Sequence, residues 1–352
     1  MRRLVLTLDY ELYGDGSGDV FRHIVEPTQR ILKICEQHGV RISVFFEVLE
    51  YIRLKAQWET GNHMGYENDP IGAIETQIKS LAEAGHDVQV HVHPQWFNAE
   101  YVHGQWKVDL SNWRLADFSG PPDYGIEELL RECKDTLEGL IRQVVPNYRC
   151  TILRAGAYNI VPSKAVYRAM VNVGLKVDSS VYPGGHETGD LSRYDFRAAP
   201  LSKDCWLVDP SDFCRSSHSS DVVEFPVFAL TRRRIAKLSI NRIRSYLQRS
   251  GRGARNSGFQ EKRRPRMWAL AKIGDFLGKE ALTWDFCLFD FRTHKTFFRY
   301  IDKHLSDRDT FVLIGHPKGF TSEEALRKLL EHGKGLGYRF APLHEVVEDN
   351  CR

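Results

Sequence analysis

The chain has 352 residues, of which 42% are hydrophobic and 27% charged, and its formal net charge is +3. This apolar content is enough to bury a substantial core, which excludes a disordered or fibrous protein. The seven cysteines are scattered and form no CxxC pair, so the sequence favours a reducing compartment over a disulfide framework or a zinc knuckle. Residues 4–8 are too short a run for a secretory signal, and no run reaches the roughly 18 apolar residues of a membrane span. We therefore expect a globular cytoplasmic protein.

A segment with helical periodicity that ends at a glycine and continues into an apolar run occurs four times, at Gly39, Gly85, Gly174 and Gly337. Glycine accepts the left-handed conformation that stops a helix, and the run that follows predicts a buried strand. Repeated helix-to-strand units indicate a parallel sheet. Further strands are predicted at residues 4–8, 151–153, 222–227 and 310–314. The sequence therefore predicts an α/β fold in which residues 1–352 form a single distorted (β/α) barrel of about seven strands.

Two long insertions interrupt this alternation. The first, residues 94–124, is rich in aromatic residues, including Trp96, Trp106 and Trp113. We expect it to form a large loop over the strand ends, where the aromatic rings either stack on sugar faces or only pin the loop to the barrel.

The second insertion, residues 231–268, contains thirteen Lys and Arg and one acid, Glu261, so it carries +12 and leaves −9 for the rest of the chain. Ile235, Leu238 and Tyr246 fall on one face of a predicted helix whose other face is basic. This pattern is typical of a helix that lies on an anionic membrane surface. A merely solvated basic face is the alternative. No nucleic-acid-binding motif is present, so no nucleic acid partner is expected.

Polar residues follow the predicted strands at their carboxyl ends. They are Asp9, Glu11, His91, His93, Arg154, Asp178 and His316. In a parallel barrel these ends share one rim, which is where the active sites of such barrels lie. The sequence therefore brings five separate segments to one cleft.

His91 and His93 are spaced i and i+2 on a strand, so their imidazoles project from the same face and are able to bind one metal ion. Such a pair alone is more often structural, but Asp9 and Glu11 favour a metal site because one carboxylate supplies a third ligand. Three protein ligands and an open water position are typical of a catalytic metal site.

This set of residues suits the hydrolysis of an amide. The metal would lower the pKa of its bound water, a carboxylate would take the proton, and His316 would protonate the departing amine. Arg154 would hold down the pKa of the base, and Asp178 would orient Arg154 or His316. Alternatively, Arg154 and Asp178 form a buried pair that joins two strands.

The same residues, in chain order, resemble the motif set of the NodB-homology polysaccharide deacetylases. The matching segments are Thr7-Leu8-Asp9-Tyr10-Glu11, His91-Val92-His93, Arg154-Ala155-Gly156-Ala157-Tyr158, Val177-Asp178-Ser179-Ser180 and Leu313-Ile314-Gly315-His316. The first segment is similar to the branch with an Asp-x-Glu pattern. The two histidines are two residues apart, whereas those of most members are four apart.

The resemblance implies a role for each of these positions. Asp9 is the base and Glu11 the metal ligand, or the reverse. His316 is the general acid, Arg154 tunes the base, and a backbone N–H at Tyr158 stabilises the oxyanion.

We therefore expect a metal-dependent deacetylase that removes N-acetyl groups from an amino sugar in a polysaccharide or glycolipid precursor, with Trp96 against the sugar. Zinc is the default cofactor for two histidines and a carboxylate. The alternatives are a hydrolase of a small non-sugar linear amide and a catalytically inactive glycan- or lipid-binding barrel. The expected location is the cytoplasm, free or at the inner face of the membrane. His186, His218 and His294 have no evident partners and are expected at the surface.

Overall fold

The computed structural model describes residues 1–233 and 279–350. The strands in this part are β1 (Arg3–Tyr10), β2 (Ser43–Glu47), β3 (Asp87–Val92), β4 (Glu100–Val102), β5 (Gln105–Lys107), β6 (Ile152–Ala155), β7 (Val177–Asp178), β8 (His186–Thr188), β9 (Arg193–Asp195), β10 (Trp206–Asp209), β11 (Asp212–Ser216), β12 (Val223–Glu224), β13 (Ala229–Arg233), β14 (Lys279–Thr283), β15 (Thr310–Gly315) and β16 (Arg339–Phe340). The α-helices are α1 (Glu26–Gln37), α2 (Val48–Glu59), α3 (Pro70–Glu83), α4 (Ile126–Ile141), α5 (Ser163–Val173), α6 (Phe291–His304), α7 (Glu323–Gly335) and α8 (Leu343–Asn350).

Seven parallel strands form a curled sheet in the order β12, β7, β6, β3, β2, β1, β15. The two edges of this sheet meet just beyond β12. There Val227 forms a parallel bridge to Val312 of β15, and the backbone N–H of Phe228 donates to the carbonyl oxygen of Val312 at 2.8 Å. The antiparallel strands β10 and β11 extend the sheet beyond β12. The predicted distorted (β/α) barrel of about seven strands is therefore confirmed.

The interior of the barrel changes from apolar to polar along the strands. Val5 and Phe45 belong to a buried interior cluster that includes Val346 of α8. Because side chains alternate along a strand, Asp9 and Glu47 lie on the same faces as Val5 and Phe45, nearer the carboxyl ends. The apolar layer thus forms a floor below the polar rim.

The glycines that were expected to stop helices do so. Gly39, Gly85, Gly174 and Gly337 all have positive φ, between 56° and 81°. Each lies directly before the chain that enters a strand, as the sequence pattern predicts.

The two insertions are described to different extents. Residues 94–124 form the hairpin β4–β5 and several 3₁₀ turns. Of the basic insertion, residues 234–268 lie outside the described residues, so its predicted helix and membrane contact stay predictions. Among the described residues, no helix has both the length and the apolar character that a membrane crossing requires.

His294 was expected at the surface with His186 and His218, and this prediction is wrong. His186 and His218 are exposed, but His294 lies in α6 with no exposed surface. Its Nδ1 accepts a hydrogen bond of 2.9 Å from the indole N–H of Trp284. A buried indole N–H needs an acceptor, and the imidazole provides it. Burial lowers the pKa of His294 to about 4.

This buried histidine predicts a loss of stability in mild acid. The folded-state pKa is below the ordinary value, so the neutral ring stabilises the fold fully above about pH 6.5, and this contribution is lost as the pH falls toward 4. Between pH 7 and pH 5 the wild type should lose about 2 kcal/mol more unfolding free energy than His294→Gln, measured by urea denaturation. His218→Gln, at an exposed position, should behave as the wild type. Equal pH dependence in all three proteins would refute the assignment.

Candidate active site

The polar rim is built around Glu11, which follows β1. Its Oε2 lies 2.8 Å from Nε2 of His93 and 3.3 Å from Nε2 of His91. Its Oε1 lies 2.7 Å from Nζ of Lys318, in the turn after β15. Burial opposes ionisation of this carboxyl, but Lys318 and His93 outweigh it and hold the pKa of Glu11 well below its usual value. Glu11 is therefore an anion with one oxygen facing both imidazoles.

Asp9 lies near the end of β1, two residues before Glu11, and Arg154 holds its carboxylate in place. Its Oδ1 accepts a hydrogen bond of 2.6 Å from Nη1 of Arg154, and its Oδ2 lies 4.0 Å from Nε2 of His91. Burial favours the neutral acid, but the charge of Arg154, with smaller effects of His91 and His316, lowers the pKa of Asp9. Asp9 thus has one oxygen held by a cation and one directed toward the histidines.

His316, directly after β15, stands between two carboxylates. Its Nε2 lies 3.7 Å from Oδ2 of Asp9, and its Nδ1 lies 3.8 Å from Oδ2 of Asp285. Burial disfavours the protonated ring, but Asp285 and then Asp9 outweigh that penalty and raise the pKa of His316. The backbone N–H groups of Cys287 and Leu288 donate to Oδ1 of Asp285 at 2.9 Å and fix it.

Asp178 was expected to orient Arg154 or His316, and the hydrogen bonds found for it come from a different residue, Ser180. Its carboxylate accepts hydrogen bonds from the backbone N–H and the hydroxyl of Ser180, at 3.0 and 2.7 Å. Alternation along the strand directs it away from Ser179, whose carbonyl and hydroxyl accept from Arg154. Asp285 lies where the sequence analysis placed Asp178 beside His316.

The two imidazoles differ in how their Nδ1 atoms are bound. Nδ1 of His91 lies 2.8 Å from the carbonyl oxygen of Arg154, so Nδ1 donates and a neutral ring turns an Nε2 lone pair toward Glu11. A lone pair facing a carboxylate is repulsive unless a proton or a cation lies between them. A metal-bound histidine has this same arrangement, with one ring nitrogen donating to a carbonyl.

Nδ1 of His93 lies 2.9 Å from Nε2 of Gln95, whose Oε1 is buried without a hydrogen-bond partner among the described residues. A half-turn of that amide would let Oε1 accept from Nδ1–H and free Nε2 of His93 as a ligand. The unpartnered Oε1 of Gln95 is therefore consistent with a cation bound at Nε2 of His93, on the opposite side of the imidazole ring.

Glu47, the last residue of β2, is the member of this cluster that the sequence analysis missed. One ligand atom from each of Glu11, Glu47, His91 and His93 lies within 4.8 Å of the others. Burial, Glu50 and Glu11 raise the pKa of Glu47 well above its usual value. The sequence did contain a signal, because Glu47 directly follows the apolar run 44–46, just as polar residues follow the other strands. This buried group is able to hold a metal ion.

The aromatic loop contributes to the site through a different ring from the one expected. Trp96 is 1% exposed and packs edge-on against Trp106, with ring centres 5.2 Å apart. In this position the ring of Trp96 holds the loop against its own hairpin, and its expected contact with the substrate stays a prediction. The half-buried ring of Trp113 lies 6.3 Å from that of His93 and lines the site.

Tyr158 lies at the rim in a turn after β6. Ala157 and Tyr158 have positive φ of 48° and 62°, which reverses the chain beside the histidines. The ring of Tyr158 packs against that of Tyr182, with the ring centres 4.8 Å apart. Burial and the charge of Asp9 raise the pKa of Tyr158 well above its usual value, so the phenol stays neutral.

No protein-family model and no curated protein matches the sequence. Several solved structures are similar in fold. One described as a polysaccharide deacetylase of Mycobacterium smegmatis is 13% identical with a TM-score of 0.47, and covers 99% of this chain and 89% of its own. The polysaccharide deacetylase Bc1974 of Bacillus cereus is 12% identical with a TM-score of 0.39, and covers 97% and 92%.

A family 4 acetyl xylan esterase of Clostridium thermocellum, in complex with a cobalt ion, is 11% identical with a TM-score of 0.35, and covers 98% of this chain and 89% of its own. Since the identities are 11–13% and the scores lie below 0.5, the function proposed below rests on the site geometry.

The close approach of Gly156 to His93 yields a test of the metal site. A Cβ at position 156 would lie 2.5 Å from Cγ and Nδ1 of His93, so Gly156→Ala must displace that ring. We expect at least about tenfold weaker Co²⁺ binding, measured by competition with a chelator. Gly139→Ala in α4, where a Cβ meets no atom within 4 Å, is the matched control and should bind Co²⁺ as the wild type does. Unchanged affinity in Gly156→Ala would remove His93 from the ligand set.

Proposed function

We propose that this protein is a metal-dependent hydrolase that removes N-acetyl groups from an amino sugar in a polysaccharide or glycolipid precursor. The observation that carries the proposal is the meeting of acid, base and ligand side chains at one rim. Nε2 of His316 lies 3.7 Å from Asp9 and 3.8 Å from Glu11, and Glu11 in turn contacts both His91 and His93.

The residues that would hold the cation are Glu11, His91 and His93. The orphaned Gln95 oxygen and the lone pair of His91 fit a cation at this position. When bound, a divalent ion supplies Lewis-acid activation of water and of the acetyl carbonyl. Zinc is a suitable ion for two histidines and one carboxylate.

The remaining steps belong to side chains of this protein. Oδ2 of Asp9 accepts a proton from the water that attacks the acetyl carbonyl carbon, while Arg154 holds Oδ1 and keeps the base ionised. As the C–N bond breaks, Nε2 of His316 donates its proton to the leaving nitrogen. The products are acetate and a free amine.

Two further residues support this sequence. Asp285 stabilises the protonated imidazole of His316 from the Nδ1 side, the role that sequence analysis gave to Asp178. The backbone N–H at Tyr158 is the proposed donor to the oxyanion. The positive φ of Ala157 and Tyr158 supports a special role for this turn.

The setting of the reaction is part of the same proposal. Residues 1–352 form one catalytic domain in the cytoplasm, and the basic segment 231–268 contacts an anionic membrane surface that carries a lipid-linked precursor. The +12 charge of that segment supports this contact.

A second candidate is a hydrolase of a small non-sugar linear amide. A sugar substrate was expected because of the aromatic loop, but the ring of Trp96 in that loop is buried. Trp113 remains near the site for stacking. Acetate release from free and lipid-linked N-acetylated oligosaccharides and from small linear amides, with chelation and metal add-back, distinguishes the two. Turnover of the amides alone would favour the second candidate.

The substitution Asp9→Asn tests whether Asp9 is the catalytic base or a metal ligand. An amide cannot take up the proton, so acetate release should fall about 10²- to 10⁴-fold while Co²⁺ affinity stays near that of the wild type. Glu11→Gln is the matched comparison and should weaken Co²⁺ binding as well as activity. If Asp9→Asn loses the metal and Glu11→Gln keeps it, the two roles are reversed. Full activity in Asp9→Asn would contradict the mechanism.

A further inference from the structure

Glu47 is buried inside the rim, among the ligand atoms of the proposed metal site. It is 1% exposed, and neither of its carboxyl oxygens has a hydrogen-bond partner among the described residues. It ends β2 in register with His91 of β3, on the interior face that it shares with Phe45. A buried carboxyl group without a partner costs free energy, so such groups are rare unless a ligand satisfies them.

The cations of the rim are already bound to other groups. Arg154 donates to Asp9, Thr7 and Ser179. Lys318 donates to Glu11 and to a backbone carbonyl. Neither of these two side chains donates a hydrogen bond to Glu47.

Glu50, the next glutamate along the chain, is buried to a similar extent and serves as a comparison. Glu50 is 3% exposed, and both of its oxygens accept from the backbone N–H of Leu12, at 3.1 and 3.0 Å. The carboxyl oxygens of Glu50 thus accept hydrogen bonds from the protein itself. By contrast, a carboxyl oxygen of Glu47 lies within 4.8 Å of the ligand atoms of Glu11, His91 and His93.

We propose that Glu47 is a fourth protein ligand of the cation, so that the centre consists of two imidazoles and two glutamates. This inference rests on the metal site of the proposed function and departs from the three-ligand set expected from the sequence. Two carboxylates balance the charge of a divalent ion.

The test compares Co²⁺ affinity in Glu47→Gln, Glu47→Met and the matched control Glu50→Gln with that of the wild type. Loss of a ligand should weaken binding at least about tenfold in Glu47→Gln and more in Glu47→Met, and should change the visible spectrum of bound Co²⁺. Glu50→Gln should stay within a few-fold of the wild type. Wild-type affinity and spectrum in both Glu47 variants would overturn the proposal.

A crystal structure of the wild-type protein grown with Co²⁺ decides the matter even if the variants fail to fold. A Glu47 oxygen within about 2.3 Å of the ion supports the proposal, and a Glu47 carboxyl outside the coordination sphere overturns it.

The outcomes also separate this inference from the proposed function. If the wild type binds neither Co²⁺ nor Zn²⁺, the metal site fails and the Glu47 proposal fails with it. If the wild type and both Glu47 variants bind equally, only the role of Glu47 is lost. If binding requires Glu47 but no acetylated substrate is cleaved, the ligand role stands and the deacetylase proposal fails.

Discussion

The buried guanidinium of Arg154 organises the polar end of the barrel. It donates to Thr7 and Asp9 of β1 and to Ser179 beyond β7, and its charge lies 3.9 Å from the ring centre of Phe45 in β2. Its own carbonyl oxygen accepts from the imidazole of His91 in β3. The side chain of Arg154 thus keeps Asp9 ionised, and its backbone carbonyl orients an imidazole of the proposed metal site. Through both groups this one residue links five neighbouring strands.

Charge balance explains why the rest of the rim is arranged as it is. Three acidic side chains, Asp9, Glu11 and Glu47, converge at this buried rim. Among the described residues, Arg154 pairs with Asp9 and Lys318 pairs with Glu11. Buried charges are tolerated only where they are paired. The carboxyl group of Glu47 and the lone pair of His91 face the same space, and one divalent ion would satisfy both.

Much of this arrangement follows from residue spacing. Alternation along β1 and β3 determines that Asp9, His91 and His93 face the interior, and positive φ at the helix-ending glycines sets the direction of the strands. Asp285 could not be predicted in the same way, because its position depends on how the chain returns to the barrel after a long insertion. The burial of Trp96 could not be predicted for a different reason. Its sequence position beside the site strand is correct, but packing against Trp106 buries it.

One divalent cation bound by Glu11, His91 and His93 is the feature on which the proposed chemistry depends. The most direct measurement is the metal content of the wild type and of His93→Ala after equilibrium dialysis against micromolar Co²⁺. We expect about one ion per wild-type chain and almost none in the variant, because the imidazole that lies 2.8 Å from Glu11 is lost. Equal metal content in both proteins, or none in either, would contradict it.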